Sequence, residues 1–350
     1  MRIGNLSQTV WKRDIQRQIQ TRRAESVFPL SIEARCSAIS DGDGACPTFV
    51  WSEASVSGDS DVIGKYALLQ AANDLACRGA QPIGVSVEML LPLRAEETEA
   101  AAVVTQMERL CERLHMQITR VRAEGNPSVS KKMVHVTAAG ILRAGGEEKT
   151  AGEGKLTEKE RDTGKESKKV LPGQELILCG CAGLEGTLLI EAESEEELGK
   201  RFPPSFLRQT RALEENLITP EVVLGALHNG AVRVCQIGSG GILAALWEMT
   251  EADKAGMEMD FSNILICQET VEICEHYQLN PYQMISAGSA LMIADEGAAL
   301  LDYLKRAGAR AGRLGVITAG NARVITSGTE KRYLDRPAPD EYLRWLSERP

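Results

Sequence analysis

The chain has 350 residues, 43% of them hydrophobic and 25% charged, and a formal net charge of -9 at pH 7. That length holds two domains of ordinary size, and the composition is that of a globular protein. The acidic balance argues against a nucleic-acid partner, which needs a basic face, and no run of about 18 apolar residues is present to span a membrane.

The first residues are polar rather than signal-like, so the chain is expected in the cytoplasm. Nine cysteines are scattered as Cys36, Cys46, Cys77, Cys111, Cys179, Cys181, Cys235, Cys267 and Cys274. Most stand in apolar surroundings and read as reduced, buried thiols. Cys179 and Cys181 are the one close pair, with a spacing that fits neither a CxxC motif nor a zinc knuckle.

In chain order, the first expected element is a helix from near Ser7. Val10, Ile15 and Ile19 form its apolar face, and Lys12, Arg13, Arg17, Arg22 and Arg23 a solvated basic one. Ser31 to Ile39 and Thr48 to Ser52 read as strands, Ile63 to Arg78 as a helix, Ile83 to Leu91 as a strand, Ala95 to Leu114 as a helix and His135 to Leu142 as a strand. From Gly145 to Lys169 almost nothing apolar remains, so this stretch reads as a solvated linker or loop.

Beyond it the α/β style resumes. A strand is expected at Glu175 to Cys179, helices at Glu185 to Ser194 and Pro220 to Leu227, and a strand at Val232 to Cys235. The sequence from Val234 through Gln236, Gly238, Ser239, Gly240 and Gly241 then has the form of a phosphate-binding turn opening a helix, Ile242 to Met249. It lacks the carboxylate that would hold Mg²⁺ on a nucleotide. Helices at Glu269 to Tyr277 and Gly297 to Arg306, a strand at Ser289 to Ala294 and a terminal helix opened by Pro339-Asp340 complete the pattern.

Several phrases together resemble the aminoimidazole ribonucleotide synthetase-related (PurM-like) superfamily. They are Gly64 through Asn73-Asp74 to Pro82, Ala182-Gly-Leu-Glu-Gly-Thr187, Gly240 to Glu248, and Ile285-Ser-Ala-Gly-Ser-Ala-Leu291. The segment Ile3 to Arg13 is similar to the lead of its hydrogenase-maturation-factor-like (HypE-like) branch. The resemblance implies an α/β (α+β) chain of two domains, an N-terminal mixed sheet with helices and a C-terminal α/β sandwich. Residues 1–144 would form the first domain, 145–172 a charged linker, 173–335 the second domain and 336–350 a tail helix. It also implies ATP and Mg²⁺ between the domains, a homodimer paired through its N-terminal strands, and phosphorylation of an oxygen on a small acceptor.

Carried over residue by residue, the resemblance makes Asn73, Asp74, Gly238, Gly240 and Gly241 nucleotide-binding candidates, and Asp43, Asp74 and Glu124 metal candidates. Asp41-Gly-Asp-Gly44 serves equally well as a tight turn, and Asp74 equally well as an ordinary helical Asp. The family's other acids are missing. Ala54 stands where a metal-binding Asp is expected, with Glu53 one residue away and so on the opposite strand face. Gln236 replaces the Asp before the glycine turn, and Arg120, Val121, Arg122 and Ala123 replace a glycine-rich, His-containing segment that ends at Glu124. The arginines could grip an anion or simply line an edge strand.

The first expectation is therefore a homodimer with an eroded ATP/Mg²⁺ site that binds a nucleotide or anion weakly and acts as a binding or regulatory subunit. The alternatives are an active ATP-dependent enzyme whose metal ligands come from Asp41, Asp43, Asp59, Asp61, Asp74 and Glu124, and a sensor built on Cys179 and Cys181. With no Cys among Leu346 to Pro350, chemistry carried on a terminal thiol is not expected.

Overall fold

A computed structural model describes residues 4, 6, 8–21, 23–28, 34–40, 48–142 and 169–349. Asp41, Asp43, Gly44 and the charged segment 145–168 lie outside the described residues. The expected basic helix is a short irregular run, α1 (Gln8–Val10) followed by a π turn to Ile15 and a 3-10 turn to Gln18. Its apolar side is incompletely covered among the described residues, for Ile15 and Ile19 stay 41% and 42% exposed. A short helix without a buried face has little to hold it.

The first half is a five-stranded sheet of β1 (Cys36–Ile39), β2 (Thr48–Gly58), β3 (Gln81–Leu91), β4 (Gln117–Gly125) and β5 (Lys132–Leu142). The order is β1-β2-β5-β3-β4, antiparallel except between β3 and β4. Alternation along the strands sets the covered face. Val50, Ser52, Ala54 and Val56 are buried with Val134, Val136 and Ala138, while Phe49 and Met133 on the other face are exposed. Helices α2 (Ile63–Cys77) and α3 (Glu97–Leu114) pack on the buried face. They cross closely at Gly64, where a Cβ would lie 2.7 Å from both Val103 and Met107. A capping box between Glu96 and Glu99 starts α3.

The second half contains α4 (Leu184–Glu193), α5 (Glu195–Gly199), α6 (Pro204–Ala212), α7 (Pro220–His228), α8 (Gly241–Ala252), α9 (Gln268–His276), α10 (Gly297–Arg306) and α11 (Glu341–Ser347). Its strands are β6 (Glu175–Cys179), β7 (Ala231–Gln236), β8 (Gly256–Asp260), β9 (Ala290–Ala294), β10 (Ala311–Thr318), β11 (Arg323–Ser327) and β12 (Glu330–Tyr333), ordered β12-β11-β8-β10-β6-β9-β7. Both faces of the central strands are covered. Leu176, Leu178, Leu291 and Ile293 meet Ile242, Leu246 and Met249 of α8. Ile177, Cys179, Ala290 and Met292 meet Val223 and Ala226 of α7 and Leu300 and Leu304 of α10. That is why β6 and β9 read as unbroken apolar runs.

α2 joins the halves, since it touches β2 and β5 on one side and α7 and β7 on the other. α4 is buried from Leu184 through Glu191 and shares its core with the first half, α9 and the terminal helix. Among the described residues no helix is long and apolar enough to cross a membrane.

Candidate functional site

Between the two sheets opens a cleft of about 500 Å³, within the range of small-molecule sites. β2 supplies one wall from Trp51 to Ser57, α2 supplies Gln70 and Asp74, and the start of β1 brings Arg35 and Cys36. The far side is Gly238, Ser239 and Glu248, closed by Asp340, Tyr342 and Leu343 at the terminal helix. Two predicted candidates, Asp74 and Gly238, thus line one cavity, and Gly240 and Gly241 follow Gly238 in the same turn.

Asp74 is 5% exposed. Its Oδ1 accepts a hydrogen bond from the Gln236 amide Nε2 at 2.8 Å, and the same Nε2 donates to the Gln70 carbonyl at 2.9 Å. Gln236 Oε1 accepts from Gly288 N–H at 3.4 Å, so the amide is held in this orientation. Arg35 completes the group. Its Nη1 donates to the Gln236 carbonyl at 2.8 Å and lies 3.8 Å from Asp74 Oδ1, while Nη2 donates to Glu248 Oε2 at 3.0 Å. Burial pushes the Asp74 carboxyl up to about 6, with Arg35 and the Gln236 bond pulling the other way. On β2, Ala54 faces the buried side and Glu53 is exposed on the opposite face, as strand alternation requires.

The glycine turn is built as the sequence suggests. Gly240 and Gly241 hold left-handed φ of 83° and 68°, and a Cβ on Gly241 would stand 2.5 Å from the Tyr282 carbonyl oxygen. Its Gly240 N–H, which in such a turn could meet an anion, is instead donated to Asp340 Oδ2 at 2.7 Å. The other oxygen of Asp340 caps α11 by accepting from Tyr342 N–H and Leu343 N–H at 2.9 and 3.3 Å. Burial pushes Asp340 up to about 6 against these backbone bonds. Glu185, at the start of α4, is fully buried; its Oε2 accepts from Ala287 N–H at 2.6 Å and its Oε1 has no partner. Burial pushes this carboxyl up to about 8; the Ala287 bond opposes that, and Asp340 and Asp74 add to it.

The remaining candidates are placed elsewhere. Asn73 is fully buried and donates to the Ile218 carbonyl at 3.0 Å, tying α2 to the second half. Glu124 lies on β4, at the sheet edge opposite β1, and accepts from Arg122 at 2.7 Å and Asn126 at 3.1 Å. Arg122 also reaches Glu88, so this arginine belongs to a surface ion-pair row. Asp59 pairs with Arg94 and Lys131, and Asp61 with the buried Lys132. These carboxylates do not join Asp74. Asp43 lies outside the described residues. Cys179 and Cys181 do not pair with each other; both are free, buried thiols. Arg35, Glu248 and Asp340 were not singled out by sequence reasoning; the one available signal was Pro339-Asp340 as a helix start.

Among the described residues, no three His, Cys, Asp or Glu side chains gather to hold a metal ion. The donor chemistry at Asp74 does not fit Mg²⁺ either. Gln236 turns an N–H donor towards the carboxylate, and Arg35 supplies the positive charge beside it.

Comparison with known proteins agrees with this architecture. The models of the AIR synthase related protein N-terminal and C-terminal domains match residues 35–142 and 172–327. A carbamoyl dehydratase HypE from Rhodobacter capsulatus is 25% identical over 239 residues, 68% of this chain and 63% of the relative, so the match spans less than two thirds of that protein. The crystal structure of Escherichia coli HypE superposes with a TM-score of 0.64 at 19% identity, covering 83% of this chain and 86% of that one. A hydrogenase maturation protein HypE in complex with ATP gives 0.62 at 16% identity, over 84% and 87%. With both domain models matched in order around the cleft, the chain belongs to the AIR synthase-related family, as a PurM-like, HypE-like member.

Proposed function

We propose that the cleft is a nucleotide site of this family in which Arg35 has taken over the charge of the lost metal. The protein is then a weak nucleotide- or anion-binding, regulatory homodimer rather than a phosphoryl-transfer enzyme. The observation that carries this reading is the 2.8 Å bond from the Gln236 amide to Asp74, with Arg35 bound alongside. Phosphoryl transfer depends on charge neutralisation at the phosphates. Arg35 is the one basic side chain among the described residues lining the cleft, and it is already engaged by Glu248 and Asp74. An incoming polyphosphate therefore meets the Glu248 and Asp340 carboxylates without a fresh cation to offset its charge, which makes binding weak. The solved relative holding ATP supports the nucleotide as the ligand class.

The homodimer contact is assigned to the outer face of the first sheet, where Phe49 and Met133 are exposed on β2 and β5. The reduced cysteines suit a cytoplasmic setting.

Calorimetric titration with a non-hydrolysable ATP analogue, with and without Mg²⁺, tests the site. Weak binding indifferent to Mg²⁺ is expected. Micromolar binding that strengthens with Mg²⁺ and disappears in Asp74→Asn would overturn the proposal in favour of an active ATP-dependent enzyme with relocated metal ligands. Absence of binding would remove the nucleotide from the proposal. Light scattering should give twice the chain mass of 38.0 kDa, and a monomer would remove the homodimer.

A further inference from the structure

The terminal helix α11 closes one side of the cleft and is held to both halves. It hangs from β12 by the connection 334–339, which has no regular structure and is exposed at Asp335, Arg336, Pro337 and Pro339. The far end of the helix rests on the second half. Trp345 packs on Tyr277, 5.7 Å between ring centroids, and Arg344 Nη2 donates to the Gln278 carbonyl at 2.8 Å. Its first turn reaches the first half, for the hydroxyl of the buried Tyr342 donates to the Ser57 carbonyl at the end of β2, 2.7 Å away.

Asp340, at the head of this helix, does more than cap it. A cap needs one carboxylate oxygen, and Oδ1 serves as that. Oδ2 is left for Gly240 N–H, 2.7 Å away and one hundred positions earlier in the chain. The neighbouring Gly241 N–H is used within the turn, on the Gly238 carbonyl at 3.1 Å, so of these two donors Gly240 is the one turned outward. The loop from β2 into α2 is filled in the same way. Glu193, at the end of α4, accepts from Asp59 N–H at 2.8 Å and from Ser60 N–H at 2.7 Å. Gly58 lies so close to the Glu193 carboxylate and the Tyr342 hydroxyl that a Cβ would not fit there. Two sets of backbone donors of the kind that suits an anion, at and beside the cleft, thus each hold a carboxylate of the chain itself.

We propose that α11 is an autoinhibitory latch: its Asp340 carboxylate occupies the glycine turn as an internal competitor, and an anionic ligand engages that turn only when Asp340 is displaced. The proposal rests on the reading of the cleft as an anion site and adds how access to it is controlled. A phosphate oxygen and Asp340 Oδ2 cannot both accept the Gly240 N–H at hydrogen-bond distance, and their like charges repel. The irregular connection lets the head of the helix shift, while the buried Trp345 and Leu346 keep its far end anchored.

The test titrates the whole chain calorimetrically with pyrophosphate and with a non-hydrolysable ATP analogue, both without Mg²⁺, in the wild type, Asp340→Ser and Asp335→Ser. Serine still caps the helix but is too short, and uncharged, to hold Gly240. Asp340→Ser should bind both probes at least about tenfold more tightly than the wild type. Asp335→Ser removes the same charge from the exposed connection and should match the wild type. Equal affinity in the wild type and Asp340→Ser overturns the latch and leaves the anion site standing. Equal tightening by Asp335→Ser reduces the effect to net charge and also overturns the latch. Absence of binding in both the wild type and a folded Asp340→Ser removes the anion site itself, and the latch with it. Hydrogen exchange on the wild type keeps the test open even if Asp340→Ser does not fold. The ATP analogue should slow exchange in residues 237–245 and speed it in residues 340–347 by at least about threefold. Slowing at the turn with no change in the terminal helix overturns the latch.

Discussion

Replacing Glu185 by Gln isolates the energetic consequence of the buried carboxyl beside the cleft. Glu185 is fully buried, with one oxygen bonded to Ala287 N–H and the other unpartnered, and burial moves it from an ordinary 4.5 to about 8. A raised native value means that the folded protein holds this proton more tightly than the unfolded chain. Stability is then lost as pH rises from about 4.5 to about 8 and is level above that. At about 1.4 kcal/mol per unit, the full span amounts to roughly 5 kcal/mol as an upper bound. Gln does not titrate. Its amide oxygen still accepts from Ala287, but its NH₂ replaces the unpartnered oxygen and costs about 1–3 kcal/mol. The variant should therefore be somewhat less stable than the wild type near pH 5 and more stable by a few kcal/mol near pH 9. Asp74 and Asp340, both near 6, titrate in both proteins and largely cancel in the difference. Urea unfolding of both proteins in steps between pH 5 and pH 9 reads the effect directly. A stability difference that stays constant over that range would refute a carboxyl titrating near 8 at this position.

Arg35→Met leaves Asp74 and Glu248 without their cation. With the Arg35 side chain a quarter exposed, a loss of about 3 kcal/mol is expected in urea unfolding, and a change under about 0.5 kcal/mol would show that the cluster is not held by this charge. Gln236→Asp sets a second carboxylate against Asp74 in place of the 2.8 Å amide bond. That variant should be destabilised in chelator and regain Tm as Mg²⁺ is added, while the wild type shows no Mg²⁺-dependent shift; identical Mg²⁺ responses would contradict the assignment of Gln236 to the lost acid. Gly241→Ala must place a Cβ 2.5 Å from the Tyr282 carbonyl on a backbone with φ of 68°, so a loss of about 2 kcal/mol or more in unfolding free energy is expected, and a neutral substitution would refute the tight turn.

The elements that sequence pattern revealed are those whose burial is regular. α2, α3, β5, β6 and β9 carry apolar residues at the helix period, by strand alternation or in unbroken runs; α2, α3, β6 and β9 form within one or two residues of where those patterns place them, and β5 starts three residues earlier, at Lys132. β4 gave no such pattern because it is an edge strand, exposed at nearly every position, with Arg120 and Arg122 outward. The strands β8, β11 and β12 are short and carry charges, β10 has a bulge at Arg313–Gly315, and β8 and β10 take their places from pairings with segments distant in the chain.

The site divides along the same line. Ala54 and Gln236 show from sequence alone that two acids are missing, because the surrounding glycines and the Asn73-Asp74 helix fix the register. What fills the gap is not local. Arg35 comes from the start of β1, Glu248 from α8 and Asp340 from the cap of the last helix; Arg35 meets Asp74, Glu248 meets Arg35 and Asp340 meets the glycine turn only through the packing of the two halves. A missing carboxylate read from a motif is therefore incomplete as a statement about charge. The balance at Asp74 is set by an arginine 39 positions earlier in the chain, and a reading that stopped at the motif would leave a buried aspartate with no counter-charge beside it.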